Sequence, residues 1–212
     1  MHGSMNDTIF INNNSQNLII SFTGYRPDGN FEWKNLLQTR KDVDILFVRD
    51  INQKWYLTGI KSVSTDVEST IQYFNTFCDK YEKICLLGSS MGGFASILYG
   101  YLLSNNHDVI IKSFGPQVDI ESPEGNPWTI SVINTFITDI PEKDRIYSRL
   151  HKVIDIHLDC TIYYGIDHPY DGTHYDKISK YTKSETFSTD KHAIALYMKQ
   201  NDIMNDVLDN LF

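Results

Sequence analysis

The ten residues "LLGSSMGGFA", Leu86–Ala95, place three glycines and two serines between a short apolar run and a longer one. Gly88-Ser89-Ser90-Met91-Gly92 reads as Gly-x-Ser-x-Gly with Ser90 in the middle. A hydroxyl that projects from a sharp strand-to-helix turn forces its own backbone into strained geometry. Side chains two positions before and after it would collide with each other or with the neighbouring strand. Gly88 and Gly92 are therefore close-approach positions rather than flexible ones. A phosphate-cradling loop fits less well, because G-x-x-x-x-G-K is absent and "GSSMGG" lacks G-x-G-x-x-G spacing. Ser89 is the weaker nucleophile candidate, since a frame centred on it would begin at Leu87.

Working outward, "KICLL" (Lys83–Leu87) is a buried strand, and Met91–Leu103 is a helix apolar on most sides, as a centrally packed helix must be. Further strands are expected at Thr8–Ile11, Asn17–Phe22, Val43–Val48, Asp108–Phe114, Ile156–Gly165 and "SETFS" (Ser184–Ser188). The polar "NNNSQN" between the first two suggests a hairpin-like connection. Helices are expected near Phe31–Leu37, from Thr65 onward, on "GTHYDKISKY" and over Ala193–Phe212. Thr65 and Glu68 have capping-box spacing, and Val67, Ile71, Phe74, Cys78 and Tyr81 share one face. The proline-bearing stretch Pro116–Lys152, which includes Pro123, reads as a small cap with short helices at Pro127–Phe136 and Glu142–Leu150. Strands alternating with helices imply a mostly parallel sheet covered on both faces, with function in the loops at the strands' carboxyl ends.

The bulk properties narrow the function classes. A chain of 212 residues suits a single domain, with residues 1–4 read as an appended remnant before a start at Met5. A formal charge of −8 argues against nucleic-acid binding, which needs a concentrated basic surface. Cys78, Cys85 and Cys160 make an odd count without CxxC spacing, so neither a disulfide framework nor a zinc site is expected. No apolar run reaches the roughly 20 residues of a membrane span, and "MHGSMNDT" lacks an apolar core for a signal peptide. The expectation is a cytoplasmic protein without membrane insertion. Its oligomeric state is open.

At the elbow the chain resembles an α/β-hydrolase, a minimal one without a large lid. "RDINQKWYLTGI" followed by a helix and "LLGSSMGGFASILYG" further resembles a poorly characterised bacterial group associated with polysaccharide biosynthesis. The resemblance implies a serine esterase with the chain order Ser, acid, His, in which an imidazole takes the proton of the serine. His192, after the last short strand and before the terminal helix, holds the family position of that imidazole. His107, His151, His157, His168 and His174 read as surface or packing residues. The acid belongs in "YYGIDHPYDGTHYDK". The resemblance favours Asp171, in the pattern Asp-x-x-His, over Asp167, and Asp119 is an outsider. As a plain alternative, Asp171 is a helix N-cap. An oxyanion hole would take the amide of Met91 and that of Tyr25, with Gly24 permitting the close turn. Thr23 stands where many members carry His, which leaves the second donor open.

Asp50, Trp55 and Tyr56 are candidates for lining a substrate pocket, an aromatic pair being one way to stack on a sugar ring. The alternative is that Trp55 and Tyr56 cover the sheet edge. Arg26 is a candidate to receive an anionic group, the alternative being that it faces solvent, and Trp128 and Phe136 are candidate pocket walls. The expected substrate is a small-molecule or glycan ester. No metal or organic cofactor is required, because side chains and amides supply the whole mechanism. Two other readings use the same scaffold: an acyltransferase or thioesterase with the same triad, and a non-catalytic glycan-binding protein.

Overall fold

Leu18–Phe22 and Ile84–Gly88 are buried along their whole length. Their side chains divide by alternation. Leu18, Ile20, Phe22, Ile84 and Leu86 enter one apolar cluster, while Ile19, Cys85 and Leu87 enter another on the opposite face. A strand with both faces covered must be apolar at every position, which is why these segments read as continuous runs. The computed structural model describes residues 6–122, 124 and 127–212. The expected remnant 1–4, Met5 and Pro123 lie outside the described residues.

The sheet comprises Thr8–Ile11 (β1), Asn17–Phe22 (β2), Asp44–Val48 (β3), Lys83–Ser89 (β4), Val109–Phe114 (β5), Cys160–Gly165 (β6) and Lys183–Phe187 (β7), in the order β1-β3-β2-β4-β5-β6-β7. The pairs from β3 to β7 are all parallel, and β1 alone runs antiparallel. The hairpin expected between β1 and β2 does not form. β1 pairs with β3 instead, and Asn13 and Ser15 of the connection donate their amides to Asp44.

The helices are Lys34–Leu37 (α1), Val67–Cys78 (α2), Met91–Leu103 (α3), Pro127–Asn134 (α4), Asp171–Ile178 (α5), Ile194–Gln200 (α6) and Met204–Asp209 (α7). Val67, Phe74, Phe94, Leu98, Ile133 and Ile178 place α2 to α5 against one face, whereas Leu37, Ile194, Met198, Met204 and Leu208 place α1, α6 and α7 against the other. Two details differ from expectation. The cap of α2 lies one residue later than Thr65. Asp66 is extended (φ −159°) and accepts from the Ser69 amide at 2.7 Å, and Ser69 Oγ accepts from the Asp66 amide at 3.2 Å. The expected helix over Ala193–Phe212 is two helices. Asp202 adopts φ +60°, and the Ile203 amide reaches back to Met198 O at 2.9 Å, a helix-terminating turn that short polar residues tolerate.

Among the described residues no helix is long and apolar enough to cross a membrane. The carboxyl ends of β2, β4, β5, β6 and β7 share one edge of the sheet, and their loops build the site.

Candidate active site

Ser90 sits between β4 and α3 with φ +52° and ψ −116°, a backbone region that costs a non-glycine residue about 1–3 kcal/mol. Its amide is tied to Phe114 O of the neighbouring strand at 2.8 Å, and its carbonyl accepts from Phe94 of α3 at 2.9 Å. The flanking glycines are sterically obligatory. A Cβ on Gly88 would lie 2.2 Å from Gly92 O, and one on Gly92 would lie 2.5 Å from Phe22 O. The second contact presses the start of α3 against the end of β2, so the loop Thr23-Gly24-Tyr25 borders the serine.

His192 arrives from the loop after β7. Its Nε2 lies 2.9 Å from Ser90 Oγ, and its Nδ1 lies 2.8 Å from Asp171 Oδ1. With Nδ1–H donating to the carboxylate, the Nε2 lone pair faces the serine hydroxyl. Asp171 opens α5 and is buried, and its Oδ2 has no hydrogen-bond partner among the described residues. Beneath the pair, Gly115 (φ +55°) leaves the space: a Cβ there would lie 3.0 Å from His192 O and 3.5 Å from Asp171 Oδ2.

The other acid candidates lie elsewhere. Asp167 is exposed, with its backbone amide bonded to Thr189 O at 3.2 Å. Asp119 is paired with Lys177 Nζ at 2.7 Å.

A second imidazole lies against the buried acid, its Nδ1 accepting from the Asp171 amide. His168 Nδ1 lies 2.9 Å from Asp171 Oδ1 and 3.2 Å from the Asp171 amide. Burial pushes the pKa of His168 below its usual value, against the pull of Asp171. His168, Asp171 and His192 are also the only group among the described residues whose ligand atoms cluster as a metal site would, within 4.8 Å. His192 Nδ1 and Asp171 Oδ1 at 2.8 Å form a hydrogen bond, and the Asp171 amide donates to His168 Nδ1, so an ion would have to displace these contacts.

One turn further along α5, His174 is buried, and burial and the Lys177 charge lower its pKa to about 4. Because the folded pKa lies below the unfolded 6.5, the unfolded chain takes up the proton first. Stability is therefore full above about pH 6.5 and falls as the pH drops from there toward 4. Between pH 6.5 and 5 the loss should be about 2 kcal/mol. Urea unfolding of the wild type and of His174→Leu across this range tests it; equal pH slopes in the two proteins would contradict the assignment.

Several residues expected at the site are buried behind it. Trp55 and Tyr56 are fully buried. Trp55 donates to Gln117 Oε1 at 3.1 Å and stacks on Phe136. Tyr56 donates its hydroxyl to Thr23 O at 2.8 Å. Their left-handed backbone (φ +54° and +60°) turns both rings inward, and Asp50, itself buried, accepts from the amides of Lys54 and Tyr56. Asp50, Trp55, Tyr56 and Phe136 thus form the floor behind the loops, not a sugar platform. By contrast Tyr25, Arg26 and Trp128 do border Ser90 and His192, around a cavity of about 270 Å³. Arg26 is engaged with Asp28 at 2.6 and 3.0 Å. The Tyr25 and Trp128 rings meet edge-on at 4.8 Å.

Met91 is the first residue of α3, so its amide has no acceptor within the helix. Gly24's amide is already committed, donating to Glu32 Oε2 at 2.9 Å. Glu32 carried no recognisable signal in the sequence. Its other oxygen accepts from Ser89 Oγ at 2.6 Å, and burial pushes its carboxyl pKa up while those two bonds and Arg26 pull it down.

No protein-family model and no curated protein matches the sequence. Solved structures do resemble it in three dimensions. The α/β hydrolase MGS-MChE2, from a metagenome of lagoon sediments at Mar Chica, Morocco, superposes with a TM-score of 0.59 at 16% identity, over 97% of this chain and 94% of that one. The Pyrococcus furiosus esterase Pf2001 gives 0.57 at 15%, over 95% and 85%. An acetyl xylan esterase from Paenibacillus sp. R4 gives 0.55 at 12%, over 91% and 73%. At these identities the likeness concerns architecture alone, and with the strand order and the loop edge described above it gives this chain the α/β-hydrolase fold.

Proposed function

We propose that the protein is a serine esterase that transfers a short acyl group from an ester to water. The observation that carries this reading is the chain of contacts from Ser90 Oγ through His192 to Asp171, at 2.9 and 2.8 Å. In the first half-reaction Ser90 Oγ attacks the carbonyl carbon while His192 Nε2 takes its proton. The Asp171 carboxylate holds the tautomer and stabilises the imidazolium without taking the proton. The carbonyl oxygen gathers charge, which the amides of Met91 and Tyr25 stabilise. The imidazolium then gives its proton to the departing alkoxide, leaving acyl-Ser90. Water repeats the sequence and releases the acid.

The surroundings favour a small acyl group on a polar alcohol. About 270 Å³ beside Ser90 lies just below the roughly 300 Å³ at which pockets take drug-sized ligands, and it accommodates a short acyl group. Arg26 and Glu32 are shared with an open cleft of about 700 Å³, also lined by Asn30, Lys34, Asn35 and Gln38, whose amide and ammonium groups suit hydroxyl-rich alcohols such as a glycan. The acetyl xylan esterase among the structural neighbours acts on such a substrate class by its name. The test is an incubation with p-nitrophenyl acetate and with a fluorophosphonate probe, followed by peptide mass analysis. Hydrolysis and a single adduct on Ser90 are expected. Resistance to both reagents would overturn the reading.

A further inference from the structure

Beside the elbow lies a carboxylate that the proton relay does not use. Glu32 precedes α1 and is partly buried. It is bonded at once to both halves of the site: Oε1 accepts from the hydroxyl of Ser89, next to the nucleophile, at 2.6 Å, and Oε2 accepts from the amide of Gly24, next to Tyr25, at 2.9 Å. The loop it holds has further ties: the Glu32 amide donates to Thr23 Oγ1 at 3.4 Å, and the Tyr25 ring packs on Trp55 and Trp128. Thr23 bonds through its amide to Val48 O at 3.0 Å and through its carbonyl to the Tyr56 hydroxyl at 2.8 Å, both on the β3 side of the loop. On the elbow side Gly24 approaches so closely that a Cβ would lie 2.9 Å from Ser89 O, and Glu32 is the side chain that bridges this approach.

We propose that Glu32 is a positioning residue for acyl transfer, fixing the Gly24-Tyr25 loop to Ser89 so that the Tyr25 and Met91 amides converge on one oxygen. The inference rests on the esterase reading of Ser90. Two donors help an oxyanion only when both lie at hydrogen-bond distance from where the charge will be, and an error of about 1 Å can cost up to a hundredfold in rate. The carboxylate sets that distance through two charge-assisted bonds, which are stronger than neutral ones. It does not touch the reacting atoms.

A positioning role separates kcat from KM, because the misplaced donor matters in the transition state and hardly in the ground state. With p-nitrophenyl acetate, Glu32→Ala should lower kcat by about ten- to a hundredfold with KM changed less than about threefold. Glu32→Gln can still accept from Gly24 and can donate to Ser89 Oγ, so it should recover most of that loss. Ser89→Ala removes one of the two ties and should fall between them. It also carries the test if Glu32→Ala does not fold.

Wild-type turnover decides which idea fails. An inactive wild type that also resists the fluorophosphonate sinks the esterase reading and this proposal with it. An active wild type whose Glu32→Ala and Ser89→Ala kcat values stay within twofold sinks the proposal alone. So does a loss confined to KM, or a Glu32→Gln as slow as Glu32→Ala.

Discussion

Replacing Ser90 with alanine should lower kcat for a short-chain ester by about 10⁴- to 10⁶-fold while leaving a folded protein. The size follows from covalency. In the proposed mechanism Oγ is the atom that bonds to the acyl carbon, and with it gone the site would offer only general-base help to water and whatever the amides of Met91 and Tyr25 provide. A residual rate above the uncatalysed one is therefore expected, not zero. The fold should survive because, among the described residues, Oγ is bonded only to His192, whereas the elbow is held by backbone: Ser90 N to Phe114 O at 2.8 Å, and Phe94 N to Ser90 O at 2.9 Å. Alanine also tolerates the φ of +52° no worse than serine does. Circular dichroism and a thermal melt within a few degrees of wild type, beside the kinetic loss, would separate chemistry from unfolding. A variant that keeps more than about a tenth of the wild-type kcat would move the chemistry away from this residue.

What was legible in the sequence was whatever steric necessity writes locally. The elbow reads from five residues because Gly88 and Gly92 meet backbone atoms at 2.2 and 2.5 Å, and no larger residue can take those places. The strands read because two covered faces demand unbroken apolar runs. What stayed hidden depends on partners far apart in the chain or on backbone that side-chain chemistry does not announce. Glu32 acts on Gly24 and Ser89, eight and 57 residues away, and nothing in "FEWK" marks it. Trp55 and Tyr56 suggested a sugar platform by composition, but left-handed φ values at both positions bury the rings. The same conformation at Asp202 divides the C-terminal helix in two. β1 kept its strand character and still paired with β3, since a short, half-buried apolar strand can find a partner outside its nearest loop. The acid fell between these cases. Asp167 and Asp171 share one loop and one residue type, and only the start of α5 and the space left by Gly115 distinguish them.

That distinction gives the second large effect. Asp171→Asn should reduce kcat by about 10³- to 10⁴-fold at neutral pH, and Asp167→Asn by less than about twofold. Asparagine is nearly isosteric, so the loss measures the hydrogen-bond pattern and not packing. With its NH₂ toward His192, the imidazole must accept at Nδ1 and carry its proton on Nε2, where it can no longer take one from Ser90. With its carbonyl toward His192, the tautomer is right, but the NH₂ then occupies the buried Oδ2 position, where the native oxygen has no hydrogen-bond partner among the described residues. Leaving such a donor unpaired costs about 1–3 kcal/mol, so the unproductive arrangement competes strongly. Neither amide orientation supplies the negative charge that steadies an imidazolium. Asp167 is exposed and takes part through its backbone amide, which the substitution leaves intact. The decisive measurement is kcat for both variants against p-nitrophenyl acetate at pH 7 and above, with fluorophosphonate labelling rates alongside. Should Asp167→Asn prove the slower enzyme, the loop rearranges around His192 when substrate binds, and the contact at 2.8 Å between His192 and Asp171 is not the one that operates in catalysis.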